Sequence, residues 1–504
     1  MPTTRVRSVA LPFACLACLL LATEAEGATY TITTLAEDAI ANGNCTLREA
    51  LLTASTDSTN DLCIGDVGPD TIVLEAVGTY ELDDGSISSA ARQLTVRGDA
   101  DQPQSAYVVD LGGVQRFFGV HDAELTLENL TLANGFANPR GGALLVEDSD
   151  LTMRRVTISS SQSAEGGAVA FLAQGTQQLD LAEVTLSANR AVADQAFGAG
   201  IYVSLVNGGS VRIIQTRLLD NRIEAASGSF SRAGGGLYIQ ASGAASFELR
   251  HLELARNVID APSFSSGAGA WILVGSTAGF ELEDAVFDAN ELAVAAGTNG
   301  AAALSLDLTA PSATVRRLRL LRNLGGPGKE QATIVARGST QAVVSDLLAG
   351  NGNGTGVFLA TTSGTACNLV AGNLTVAGHP DSGLRLGQSG CPLRIENSVL
   401  FGNATSSGAD LDVFFGSPEI SAETLDGVDP LFVDAASGDF RLASGSVAID
   451  AGDSSFASVS PFDAAHGSRV VGSDVDLGAL ERPTIFAEGF ERADLYAWAG
   501  FVSD

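Results

Sequence analysis

Acid–base chemistry requires carboxylates, imidazoles or guanidinium groups held close together, and this chain spaces them thinly. Adjacent carboxylates occur at Asp83-Asp84 and Glu283-Asp284. Neighbouring residues on a strand face opposite sides of a sheet, so neither pair reads as a joint acid and base. Arg154, Arg155, Arg316, Arg317 and Arg319 fall in strand-like phrases, where the expected role is to shield an outer face and its edges. Lys329 stands alone in a Gly-Gly-Pro-Gly turn. His121, His251, His379 and His466 are scattered, and none has a Gly-x-Ser-x-Gly nucleophile nearby. No residue is assigned a catalytic role on this pattern.

Cysteine chemistry is easier to place. Cys15 and Cys18 lie in an apolar run from Val9 to Ala22 that follows Arg5 and Arg7 and precedes small residues at Thr23, Ala25, Gly27 and Ala28. That order is expected of an export signal over residues 1–28, which predicts a secreted or cell-surface protein. Export leaves Cys45, Cys63, Cys367 and Cys391, an even number suited to disulfides. Three pairings exist, and nearness selects Cys45 with Cys63 and Cys367 with Cys391. No Cys-x-x-Cys or His-bearing zinc spacing accompanies them.

The elements that must carry these residues follow from a repeat. An apolar phrase ending in Asn returns at Asn189, Asn221, Asn257, Asn290, Asn323, Asn351, Asn373 and Asn403, at intervals of 22 to 36 residues. Between these phrases, glycine pairs open new apolar runs, as in Gly166-Gly-Ala-Val-Ala-Phe171 and Gly234-Gly-Gly-Leu-Tyr-Ile239. Each period holds two or three short strands bounded by Gly, Asn and Ser. One such repeat cannot bury its own apolar face, so stacking is required. The expected fold is all-β: a right-handed single-stranded parallel β-helix, or solenoid. The eight Asn side chains would stack at ~4.8 Å as an inward amide ladder.

Length and charge agree with a rod. The chain has 504 residues, and solenoids grow by adding coils instead of domains. Its 28 Lys plus Arg against 59 Asp plus Glu give a net charge of −31, which repels nucleic acid and anionic membranes. No apolar run reaches the ~18 residues of a membrane span. A monomer is expected.

Taken in order, Thr46 and Glu49 form a capping box before Leu47, Ala50, Leu51 and Ala54 at helical spacing, predicting a short N-terminal capping helix. Cys45-Thr-Leu-Arg-Glu-Ala50 resembles the CSLREA motif of large bacterial surface and secreted proteins, which implies export and a β-helical body. The repeats resemble the right-handed β-helix of the pectate-lyase-like superfamily. Val428-Asp-Pro-Leu-Phe-Val-Asp434, Ser444-Gly-Ser-Val-Ala-Ile-Asp-Ala-Gly452 and Asp476-Leu-Gly-Ala-Leu-Glu481 resemble the choice-of-anchor Q module that closes such proteins. Ile485 to Trp498 is similar to a short "GFE…W" tail of exported Gram-negative proteins. The implied division is an export signal over 1–28, a cap with first coils over 29–110, repeats over 111–418, a closing module over 419–482 and a tail over 483–504.

Function is expected to be adhesion or interaction with a glycan or cell-surface partner. The alternative is a polysaccharide lyase or glycoside hydrolase acting on an extended acidic polysaccharide, and a purely structural rod comes third. His379 in Gly-His-Pro-Asp resembles the Gly-His-Gly of pectin-cleaving hydrolases, but the companion Asn-Thr-Asp and paired-Asp phrases are missing. No cofactor is expected. Calcium is the one ion the acidic turns suit, although Asp474-x-Asp476-x-Gly478 lacks the later ligands of an EF-hand loop.

Overall fold

A computed structural model describes residues 27–82, 88–89, 93–225, 231–261, 265–275, 279–294, 300–362, 364, 367–403, 409–456 and 460–483. Most of the expected export signal, the Asp83-Asp84 pair and the tail lie outside these residues. The chain forms a parallel β-solenoid. One sheet of 21 strands and another of 12 run along its length, with a five-stranded and a three-stranded sheet closing the turns between them.

Stacking comes from like residues in register. Leu125, Leu151, Leu179, Val211, Phe247, Phe280, Ala313, Ala342, Leu369 and Leu393 follow one another inside the longest sheet, all buried. Each apolar side chain meets its counterparts one strand spacing above and below, so the core is continuous along the rod.

The longest sheet is bent, and the bend decides which side chains face outward. Strands Ser246–Ala255, Gly279–Asp288 and Ser312–Leu321 carry His251, Asp284 and Arg317 in the left-handed region, at φ 54°, 55° and 54°. Register places these residues above one another. A left-handed residue inside a strand resets the alternation, so in the second strand Phe280, Leu282, Ala285 and Phe287 point in while Glu283 and Asp284 both point out. This corrects the expectation that adjacent carboxylates face opposite sides.

Helix Leu47–Thr56 covers the first coils, burying Leu47, Ala50, Leu51 and Ala54. The Thr46 hydroxyl accepts from the Glu49 amide and the Glu49 carboxylate accepts from the Thr46 amide, completing the capping box. At the other end, strands Leu411–Phe415, Glu419–Ile420 and Leu425–Asp426 form the last coil. The chain then turns back over the outside of the longest sheet. Phe440 lies on Gly350 and Phe456 on Gly372, where a Cβ would come within 2.3 Å of either ring. The Ala479 amide donates to the Thr375 hydroxyl at 2.8 Å, and Arg317 reaches Ser460.

Candidate functional site

The cysteines form two bridges, Cys45–Cys63 and Cys367–Cys391, with Cα separations of 5.1 and 5.4 Å. The first ties the capping helix to the loop after it. The second holds together the loops that follow two stacked strands of neighbouring coils.

The asparagines divide into two groups. Asn189, Asn221, Asn257, Asn290 and Asn323 stack in the interior, each amide donating to the next carbonyl at 2.9 to 3.0 Å as far as Asn323. The Asn323 amide then donates to Gln331 Oε1 at 3.1 Å, and Gln331 Nε2 donates to the Gly350 carbonyl at 3.2 Å and approaches His379 Nε2 at 3.5 Å. The His379 backbone amide donates to Asn403 Oδ1 at 3.0 Å. Gly352 occupies the register position that Asn351 was expected to hold. Its missing side chain admits Gln331, whose Nε2 would lie 2.2 Å from a Cβ there. Asn351 is one residue early, with φ 54°, and donates outward to the Ala435 carbonyl. Asn373 also leaves the ladder: it occupies the bend of the longest sheet at φ 54° and donates to Asp346. Both sites need a left-handed residue, which Asn tolerates.

The bend column gathers a charged cluster that strand alternation had dispersed. Arg317 donates to Glu283 at 3.0 Å and to Asp284 at 3.2 Å, Arg316 pairs with Glu283, and Arg250 donates to Glu281 at 2.6 Å. His251 and His466 lie 3.6 and 3.4 Å from Asp284. Burial, reinforced by neighbouring Glu281, pushes the Glu283 carboxyl up, and burial pushes His251 down. The arginines are neutralised by carboxylates and Ser460 covers Arg317, so this network fastens the returning C-terminal segment to the sheet.

The opposite face differs in chemistry. Outward positions of the 12-stranded sheet carry Tyr202, Tyr238 and Trp271 in register. Their ring centroids are 5.1 and 4.7 Å apart, at interplanar angles of 21° and 11°, and Phe197 packs 4.8 Å from Tyr238. Burial raises both phenols, keeping them neutral, and the Tyr238 hydroxyl is hydrogen-bonded to Gln240 at 2.8 Å. Stacking consumes the inner ring faces. Beyond Trp271 the column continues as Ser305, Thr333 and Phe358. Two small hydroxyl side chains thus separate two aromatic rings three strand steps apart, about 14 Å. Asp307, two residues after Ser305 on the same face, pairs with Arg337 at 2.6 Å and borders the slot. An aromatic wall with a hydroxyl floor suits a pyranose, which has apolar faces and a polar rim. Sequence reasoning missed this slot; the signal was an aromatic residue two places after the repeated glycines, at Tyr202, Tyr238 and Trp271 but not beyond.

No protein-family profile matches the chain, and no curated protein matches it. Among solved structures, the chain is similar to a pectate lyase at 12% identity and a TM-score of 0.32, over 91% of this chain and 97% of that one. A mannuronic-acid-specific polysaccharide lyase of family 6 from human gut microbiota aligns at 14% identity and a TM-score of 0.26, over 70% and 78% of the two chains.

Proposed function

We propose that this chain is an exported glycan-binding solenoid, acting in adhesion or surface recognition by holding a hydroxyl-rich glycan along its 12-stranded face. The slot between Trp271 and Phe358, floored by Ser305 and Thr333, carries this reading. A pyranose would take the next place in the aromatic column, against the Trp271 face that meets only serine in register. The CSLREA-like start and the choice-of-anchor Q-like closing segment support export and display within the same proposal.

The experiment incubates the chain from Thr29 to Asp504 with neutral and acidic polysaccharides, with and without calcium, and reads retention and product length together. Retention without shortening is expected, and Trp271→Ala should weaken it at least tenfold. Shortened products would overturn the binding reading in favour of a lyase or hydrolase. Retention unaffected by Trp271→Ala would remove the slot from the site.

A further inference from the structure

The first strand, Thr29–Ile32, pairs on one side only among the described residues, with Asp70–Leu74. The Ala28 and Ile32 carbonyls accept from Thr71 and Glu75 on that side. Backbone groups alternate along a strand, so Thr29, Thr31 and Thr33 turn their amides and carbonyls to the open edge. That edge borders a cavity of about 550 Å³. Its far wall is the loop held by the Cys45–Cys63 bridge, which contributes Asn44 and two exposed apolar side chains, Leu62 at 61% and Ile64 at 69% exposure.

A polar group waits in the wall. Tyr30 is 4% exposed and lines the cavity, and its hydroxyl has no hydrogen-bond partner among the described residues. An unsatisfied buried hydroxyl is costly. Burial, then Asp70, Asp57 and Asp66, pushes this phenol up to about 12, so it remains a neutral donor in a negative field. Asp66 lies on the cavity rim.

We propose that this edge binds an extended cationic peptide segment by strand addition. Thr29 and Thr31 supply the main-chain hydrogen bonds, Leu62 and Ile64 grip an apolar side chain, and Asp66 receives a basic one. A second copy of the chain is disfavoured as occupant, since it would bring the same acidic edge and a net charge of −31.

The test is calorimetric titration of the full chain with an acetylated octapeptide of alternating valine and lysine. The expected result is saturable one-to-one binding, abolished by N-methylation of alternate peptide amides and weakened at least tenfold by Ile64→Ser or by exchanging lysine for glutamate. Ile64 and Asp66 sit in an exposed loop, so Ile64→Ser and Asp66→Asn probe the site without burdening the core, while Trp271→Ala should leave peptide binding unchanged. No binding of the valine–lysine peptide, equal binding of its N-methylated form, or occupation by a neutral oligosaccharide in place of peptide would each overturn the proposal.

Discussion

Replacing Asn257 with alanine tests the interior ladder most directly. The Asn257 side chain is fully buried and makes four hydrogen bonds. Its amide donates to Asn290 Oδ1 at 2.9 Å and to the Leu218 carbonyl at 2.8 Å, and its oxygen accepts from the Asn221 backbone and side-chain amides at 3.1 and 3.0 Å. Asn257→Ala strands the Asn221 backbone N–H, one Asn221 amide hydrogen and the Leu218 carbonyl. At about 1–3 kcal/mol for each orphaned buried group, with partial relaxation, the loss is about 4 kcal/mol. The control is Asn351→Gly, which removes one outward hydrogen bond at a left-handed site that glycine also accepts, for a change within about 1 kcal/mol. Solenoid coils interact with their neighbours, so unfolding should be followed by hydrogen exchange over residues 210–290 beside a denaturant titration. Equal stability of the two variants, or undisturbed protection around Asn221 and Asn290, would refute the ladder's energetic role.

The remaining predictions concern pH and docking. Burial depresses His379 from 6.5 to about 4; above pH 6.5 both folded and unfolded forms are neutral there, and below it the unfolded chain takes up the proton first. His379 should therefore contribute a loss of about 1.4 kcal/mol per pH unit as pH drops from about 6.5 toward 4, opposite in sign to the contribution of the raised Asp346 and Glu481 carboxyls, and His379→Gln should remove that contribution from the profile in denaturant titrations. Gly350→Ala would place a methyl 2.3 Å from the Phe440 ring. It should cost about 1–3 kcal/mol and expose the 428–483 segment to limited proteolysis while the coils stay intact; an unchanged digestion pattern would contradict the docking geometry.

Much of the architecture was legible because it rests on repetition. The apolar columns, the Asn phrases from 189 to 323, the capping box at Thr46 and the local cysteine pairs all carry their signal in residue type and spacing. The ladder became unreadable where a coil shortened. Asn351 falls one residue before the register position held by Gly352, and Gln331 enters the ladder from a different sheet, which no spacing along the chain announces. The charged cluster was hidden for another reason. His251, Asp284 and Arg317 share a left-handed backbone but no side-chain type, so the bend that brings Glu283 and Asp284 to one face leaves no mark in the sequence. The slot beside Trp271 depends on which coils happen to be stacked, and emerges only once register assigns Ser305 and Thr333 to the aromatic column.

The returning segment changes how the rod behaves as a mechanical object. Coils elsewhere touch mainly their neighbours, so each can open at the cost of about two interfaces. From Asp284 to Val399, however, one strap crosses several coils, through His466, Ser460, Phe440, Phe456 and Ala479. Pulling on any of those coils loads all of them. The C-terminal half is therefore a single cooperative block, and stretching the chain from its ends should peel the N-terminal coils in small steps before that block yields in one.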